Sequence, residues 1–237
     1  MKVALVCIAK DEDLYIKEWI DYHLKLGFDD IIIYQNDWRW DYEQNNVVKH
    51  ELDGQVKQRE AYNHFIQKNF RNYDWVAFFD VDEFLVLKKH ENIKKFIEDY
   101  SQYPSISINW VLFGDNNIET TTDDFSVLKR FTKRQKGINP HIKCIVKMNR
   151  NIKMDVHNPN VNWIDSNFRI GRGPYNKYGD DRVVQLNHYF CKTENEFKSK
   201  CNRGRADIIG HERNMEDFHR HNFNEIEDLK AINFYNK

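Results

Sequence analysis

A chain of 237 residues, 41% hydrophobic and 14% aromatic, holds enough apolar material for one packed domain and is not a disordered segment. Its 36 Lys and Arg balance 37 Asp and Glu, and the formal charge of −1 offers no net basic face for nucleic acid. The four cysteines, Cys7, Cys144, Cys191 and Cys201, contain no CxxC pair, which excludes a dense disulfide framework and fits a reducing compartment.

Residues 3–9 form a short apolar run, expected to be a buried strand. The run is too short for a signal-peptide core with a cleavage site or for a membrane span, so the chain is expected to work in the cytoplasm. Ile16, Ile20, His23 and Leu24 then line one helical face, with Gly27 as the stop. Residues 31–34 give a second strand, running into the polar Gln35-Asn36-Asp37. Residues 58–70 read as a helix and residues 75–79 as a third strand ending at Asp80. A further helix follows over 92–100. The first hundred residues therefore run β-α-β-α-β-α, the pattern of a mainly parallel sheet covered by helices. Ligands of such sheets bind beyond the carboxyl ends of the strands. Three polar clusters fall at those ends, at residues 10–13, 35–37 and 80–83, and should converge on one rim.

The second half changes character. Strand-like pieces at 105–110, 142–147 and 183–189 are separated by loops rich in Asn, Asp, Gly and His. A helix over 194–203 precedes a polar, aromatic tail. The expected organisation is one domain over 1–237, with a nucleotide-binding half to about residue 103 and an acceptor-facing half beyond it.

Asp80-Val81-Asp82-Glu83-Phe84 is the most informative segment. Three carboxylates in four positions repel one another unless a cation or hydrogen-bond donors neutralise them. Oxygen ligands at this density suit Mg²⁺ or Mn²⁺, which accept carboxylates together with substrate phosphates. The competing reading is a solvated turn with helix N-terminal acids. His188 ends another apolar strand and is read either as a packed histidine or as a ligand. Lys198, Lys200, Arg203 and Arg205 lie around a helix end, either as a solvated face or as cations facing a diphosphate leaving group.

As an ordered set, Lys10-Asp11-Glu12, Glu18-Trp19-Ile20-Asp21-Tyr22-His23, Leu26-Gly27, Gln58 with Ala61-Tyr62, and Asp80-Val81-Asp82-Glu83-Phe84 resemble the bacterial glycosyltransferases of the family 2 and family 92 type. Trp110 to Gly114, His141-Ile142-Lys143, Val156-His157-Asn158, His188-Tyr189 and Arg203-Gly204-Arg205 extend the resemblance to nearly the whole chain. Asp11, where Asn is commoner, and Asp115 depart from the pattern.

The resemblance implies a GT-A fold, a UDP-sugar donor of the galactose type, Mn²⁺ or Mg²⁺, and a glycan or glycolipid acceptor in surface polysaccharide or lipooligosaccharide assembly, with possible peripheral contact to the membrane. It places Lys10 and Glu12 near the base, Asp80 near ribose, and Asp82 and His188 on the metal, with Asp80 able to share it. Asn36, Gln58 and Tyr62 are expected to join the nucleotide-sugar contacts, with Lys198, Arg203 and Arg205 at the diphosphate.

Inverting transfer also needs a base for the acceptor hydroxyl. Among the acids of the second half (Asp115, Glu119, Asp123, Asp124, Asp155, Asp165, Asp180 and Asp181), Asp115 is favoured by its strand-then-glycine exit, and Asp181 stands second. Two other classes compete. A carbohydrate- or nucleotide-binding module would not need the crowded acids, and a metal-dependent nucleotidyltransferase would carry a glycine-rich loop where residues 9–12 have none.

Overall fold

The computed structural model describes residues 1–119, 124–208, 210 and 212–237. In chain order the first half comprises β1 (Val3–Ala9), α1 (Ile16–Lys25), β2 (Asp30–Gln35), β3 (Val47–Glu51), α2 (Gln58–Asn69), β4 (Trp75–Phe78), β5 (Glu83–Leu87) and α3 (Ile93–Tyr100). The second comprises β6 (Ser105–Leu112), α4 (Val127–Arg130), β7 (Lys133–Arg134), β8 (Ile142–Lys147), β9 (Trp163–Ile164), β10 (Ile170–Gly171), β11 (Val184–His188), α5 (Glu194–Asn202), α6 (Met215–His221), β12 (Ile226–Glu227) and α7 (Lys230–Tyr235).

The main sheet runs β10-β9-β6-β8-β4-β1-β2-β3. β1 pairs in parallel with β2 and β4, and β2 in parallel with β3. Every residue of β1 is buried, with Leu5 and Cys7 packing on one side of the sheet and Val6 and Ile8 on the other. Burial on both faces is why its sequence shows no polar alternation. The two halves of the chain share this sheet, because β8 inserts antiparallel between β4 and β6. This is the α/β architecture, a mixed and largely parallel sheet flanked by helices, expected from the sequence.

Two strands of the first half lie outside the expected β-α-β-α-β-α order. β3 is a partly exposed edge strand. β5 follows Asp80–Asp82 at once, because the Glu83 amide donates to the Asp80 carbonyl at 3.0 Å and closes a turn. β5 then pairs antiparallel with β11, which pairs in parallel with β6. That register sets His188 opposite Glu83, and the Tyr189 amide donates to the Asp82 carbonyl at 2.9 Å. Strand pairing thus brings His188 to the acidic turn across more than a hundred residues.

The Glu18 to His23 motif holds this arrangement from behind. The Trp19 indole donates to the Glu83 carbonyl and the Tyr22 hydroxyl to the Leu85 carbonyl, both at 2.8 Å. His23 donates through Nδ1 to the Trp19 carbonyl and accepts the Leu85 amide at Nε2. Burial lowers the pKa of His23 to about 3, which keeps Nε2 an acceptor at neutral pH. Glu18 meanwhile accepts the Val127 amide at 2.7 Å, at the start of α4. Gly27 ends α1 at φ +100°, a conformation that costs a side-chain residue strain.

Trp19→Phe keeps an aromatic ring, at some loss of volume, and removes the donor to the Glu83 carbonyl. It should lower unfolding free energy in urea by about 1–3 kcal/mol. An unchanged midpoint and slope would show that the indole bond does not hold the turn.

Candidate active site

The expected convergence is present: a cleft of about 450 Å³ opens at the carboxyl ends of β1, β2 and β4. Lys10, Glu12, Asn36, Asp80 and Asp82 line it from these strand ends, and His188 from the end of β11. Lys200, Arg203, Arg205 and Arg213 line it from α5 and the segment beyond.

The three carboxylates of the turn point to different places. Asp80 is one-third exposed and accepts Gln58 Nε2 at 2.7 Å, the Tyr62 hydroxyl at 3.3 Å and Lys143 Nζ at 3.0 Å. Glu83 folds back into the protein, its Oε2 accepting the Asp80 amide at 2.8 Å while Oε1 is buried without a partner. Burial pushes the Glu83 carboxyl well above its usual range, against the pull of Lys143. Lys143 is itself buried, as the second residue of β8; burial alone would lower its pKa, but Asp80 and Glu83 outweigh that and keep it charged.

Asp82 is buried at the cleft wall, with Lys200 Nζ 2.6 Å from Oδ2 and His188 Nε2 3.5 Å from Oδ1. Burial would raise its pKa, but Lys200 and then His188 more than compensate, so the carboxylate stays ionised well below the usual range. Burial holds His188 below its usual pKa against the pull of Asp82, leaving a neutral ring. Among the described residues its Nδ1 has no partner, and the ring packs on Trp110 at 4.3 Å between centroids. Among the described residues no group of three or more His, Cys, Asp or Glu side chains is assembled as a metal cage.

At the other end of the cleft, Glu12 meets Arg203 at 2.6 Å and Lys192 at 3.8 Å. Arg203 also donates to the Lys10 carbonyl at 2.7 Å, tying the segment after α5 to the end of β1. Lys10 pairs with Asp37 at 3.3 Å. Asn36 is turned toward the protein, donating to the carbonyls of Leu52 and Gly54 at 2.9 and 2.8 Å. Arg205 is matched by Asp207, whereas Arg213 donates only to the Gly204 carbonyl and has no carboxylate partner among the described residues. Burial, with Arg205 and Arg203 adding repulsion, lowers its pKa, so an anion in the cleft would relieve a real charge imbalance.

With this geometry in view, the comparisons with known proteins give the family. Residues 36–224 match glycosyltransferase family 92. The chain belongs to that family. A family 92 protein of Oryza sativa subsp. japonica is 23% identical over 210 residues, covering 82% of this chain and 34% of the relative. Another from Arabidopsis thaliana is 24% identical over 218 residues, covering 82% of this chain and 36% of its own. The chain thus spans about a third of the length of the curated relatives it matches. These relatives are plant proteins, so the match carries the family and not a bacterial subgroup. Among solved structures, Staphylococcus aureus TarS is similar at TM-score 0.33 and 14% identity, over 52% of this chain and 23% of that one. Family membership favours the glycosyltransferase reading over the binding module and the nucleotidyltransferase.

Several expected site residues of this family 92 chain stand elsewhere. Tyr62 is fully buried and, with Gln58, braces Asp80. Lys198 points outward to Glu194, one turn back along α5. Two residues on, Lys200 falls on the opposite side of the helix and takes the inward place. Asp115 does not line the cleft: Oδ1 accepts the Asn117 amide and Asn224 Nδ2, both at 2.9 Å. Asp181 is also outside it, held by Lys88 at 2.9 Å and Arg134 at 3.0 Å. Glu119, Asp124, Asp155, Asp165 and Asp180 line no part of the cleft either, and Asp123 lies outside the described residues.

The sequence analysis gave no site role to Lys143, His157 or Arg213, although the first two lie in motifs that carry the resemblance. The signal for Lys143 was a lysine inside an apolar strand; Arg213 and His157 lie in loops without periodicity.

Lys143→Met would leave Asp80 and Glu83 without their buried cation and should cost about 3–5 kcal/mol of stability. Lys198→Met, at the surface, should stay within about 0.5 kcal/mol. Equal effects in urea denaturation would contradict the assignment of Lys143 as the central counter-ion.

Proposed function

We propose that this chain transfers a hexose, of the galactose type, from a UDP-sugar to a glycan or glycolipid hydroxyl with inversion, using Mn²⁺ or Mg²⁺. The acceptor class is a surface polysaccharide or lipooligosaccharide. The observation that carries the proposal is the pairing across one cleft of Asp82 and His188 with the unmatched Arg213. One side suits a cation and the other suits the phosphates that such a cation accompanies.

The donor atoms fit a divalent ion. Asp82 Oδ1 and neutral His188 Nε2 are 3.5 Å apart, close to the ~3.0 Å separating adjacent ligands of an octahedral ion at ~2.1 Å. Substrate phosphate and water would supply the remaining positions, as is usual for Mg²⁺. When bound, the ion neutralises charge developing on the leaving diphosphate. Arg213 adds positive charge from across the cleft and Lys200 from beside Asp82, and the buried setting strengthens their effect. Asp80, rigidly held by Gln58, Tyr62 and Lys143, keeps an exposed carboxylate edge for a ribose hydroxyl. Lys10 and Glu12 stand where the base would lie.

No helix among the described residues is long and apolar enough to cross a membrane. We place the reaction in the cytoplasm, at the inner face of a membrane when the acceptor is a glycolipid.

The test is UDP release from a panel of UDP-sugars with Mn²⁺. Asp82→Asn keeps an oxygen for Lys200 but removes the charge, and should cut release by roughly 10² or more while the melting temperature changes little. EDTA should do the same to the wild type, with Mn²⁺ restoring it. Full turnover after EDTA would remove the metal, and no release from any UDP-sugar would remove the donor class.

A further inference from the structure

Transfer with inversion needs a proton acceptor near the attacking hydroxyl, and the acids that line the cleft are already committed. Glu12, Asp37, Asp80, Asp82 and Asp207 each face a lysine or arginine within salt-bridge distance. A carboxylate tied to a cation is a weak base. Glu212, the remaining acid of the cleft lining, is exposed at its rim.

His157 differs from all of these. It lines the cleft, and its Nδ1 is 3.0 Å from the Ile142 carbonyl oxygen. A carbonyl can only accept, so Nδ1 carries the hydrogen and Nε2 presents its lone pair. Nε2 has no hydrogen-bond partner among the described residues. Unlike Trp110 Nε1 and His188 Nδ1, which are sealed from solvent, it is not fully sealed. The ring stands edge-on to the Trp110 indole at 5.2 Å, on the same indole that supports His188. Trp110, on which His141 also stacks, lines the cleft and touches both rings, so a sugar beside it would have His188 and Asp82 toward its donor side and His157 within reach of a hydroxyl.

We infer that His157 Nε2 is the general base of the transfer, a role the sequence analysis gave to Asp115 or Asp181. This inference rests on the inverting reading given above. In the step, the acceptor oxygen forms a bond to the anomeric carbon as the bond from that carbon to the phosphate oxygen breaks. The electron pair leaves with the diphosphate, and the hydroxyl proton passes to Nε2. The resulting imidazolium is held by the Nδ1 bond to the Ile142 carbonyl and by the Asp80 carboxylate, with Lys143 opposing. Burial, then Lys143, lowers the pKa of His157 to about 4, so the ring is neutral at working pH and as basic as an ordinary carboxylate.

His157→Asn tests the role cleanly, because the amide nitrogen can replace Nδ1 at the Ile142 carbonyl while nothing replaces Nε2. The assay uses UDP-galactose and a panel of methyl hexosides, with UDP binding and melting temperature as controls for folding. kcat should fall by about 10²–10⁴, with UDP affinity within about twofold, and added imidazole should restore part of the rate in His157→Gly. Wild-type kcat in His157→Asn, or a change in acceptor KM alone, would overturn the inference. Failure of the wild type to transfer from any UDP-sugar would instead overturn the functional reading beneath it.

Discussion

Three carboxylates within four residues cannot occupy one turn unless positive charge is brought to them, and the site is organised around that constraint. Lys143 arrives from β8 to serve Asp80 and Glu83, and Lys200 arrives from α5 to serve Asp82. Neither lysine is near the turn in sequence, so the acidic segment is stable only when both halves of the chain are folded against each other. Buried ion pairs of this kind add little net stability, because desolvation consumes much of the Coulomb gain. Removing one partner, in contrast, is costly. The arrangement therefore specifies a geometry more than it strengthens the fold.

The division of labour among the acids follows from their depth. Glu83 is sealed and acts on the backbone of its own turn. Asp80 is braced on three sides and keeps one edge open. Asp82 retains an oxygen facing His188, at the only point where a carboxylate and a neutral imidazole meet in the described cleft. The Glu18 to His23 motif, which looks like a site motif in sequence, is structural: it fixes β5 through the Trp19, Tyr22 and His23 hydrogen bonds and caps α4 through Glu18. α5 is fixed in a similar way, with Thr193 and Glu196 capping its first turn and Arg130 gripping Glu196. That anchorage decides where Lys200 points.

Much of the fold was legible because β1, β2, β4 and β8 are buried on both faces and so appear as apolar runs, unbroken in β1 and β4 and interrupted in β8 by Lys143. β3 was not, since Lys49, His50 and Glu51 mark it as an edge strand with polar composition. β5 was hidden because its first residue belongs to the acidic cluster. Strands of two residues, such as β9 and β12, carry no period to detect. The convergence of the strand ends followed from topology, but which cation met which acid depended on long-range packing. Asp115 shows the limit well: its strand-then-glycine exit was legible, its direction was not. Gly114 lies under residues 222–224, where a Cβ would come within 2.4 Å of Asn224 Oδ1, and this packing turns Asp115 into an asparagine-lined loop.

The central proposal is that Asp82 and His188 would hold a cation against the diphosphate of a nucleotide-sugar, with Lys200 beside it and Arg213 across the cleft. The most direct measurement is a crystal structure with UDP and Mn²⁺, with data collected to show the anomalous scattering of manganese. The account predicts one anomalous peak about 2.1–2.3 Å from Asp82 Oδ1 and His188 Nε2, with the diphosphate between that peak and the Arg213 guanidinium. A manganese peak away from both ligands, or UDP bound outside the cleft, would contradict it.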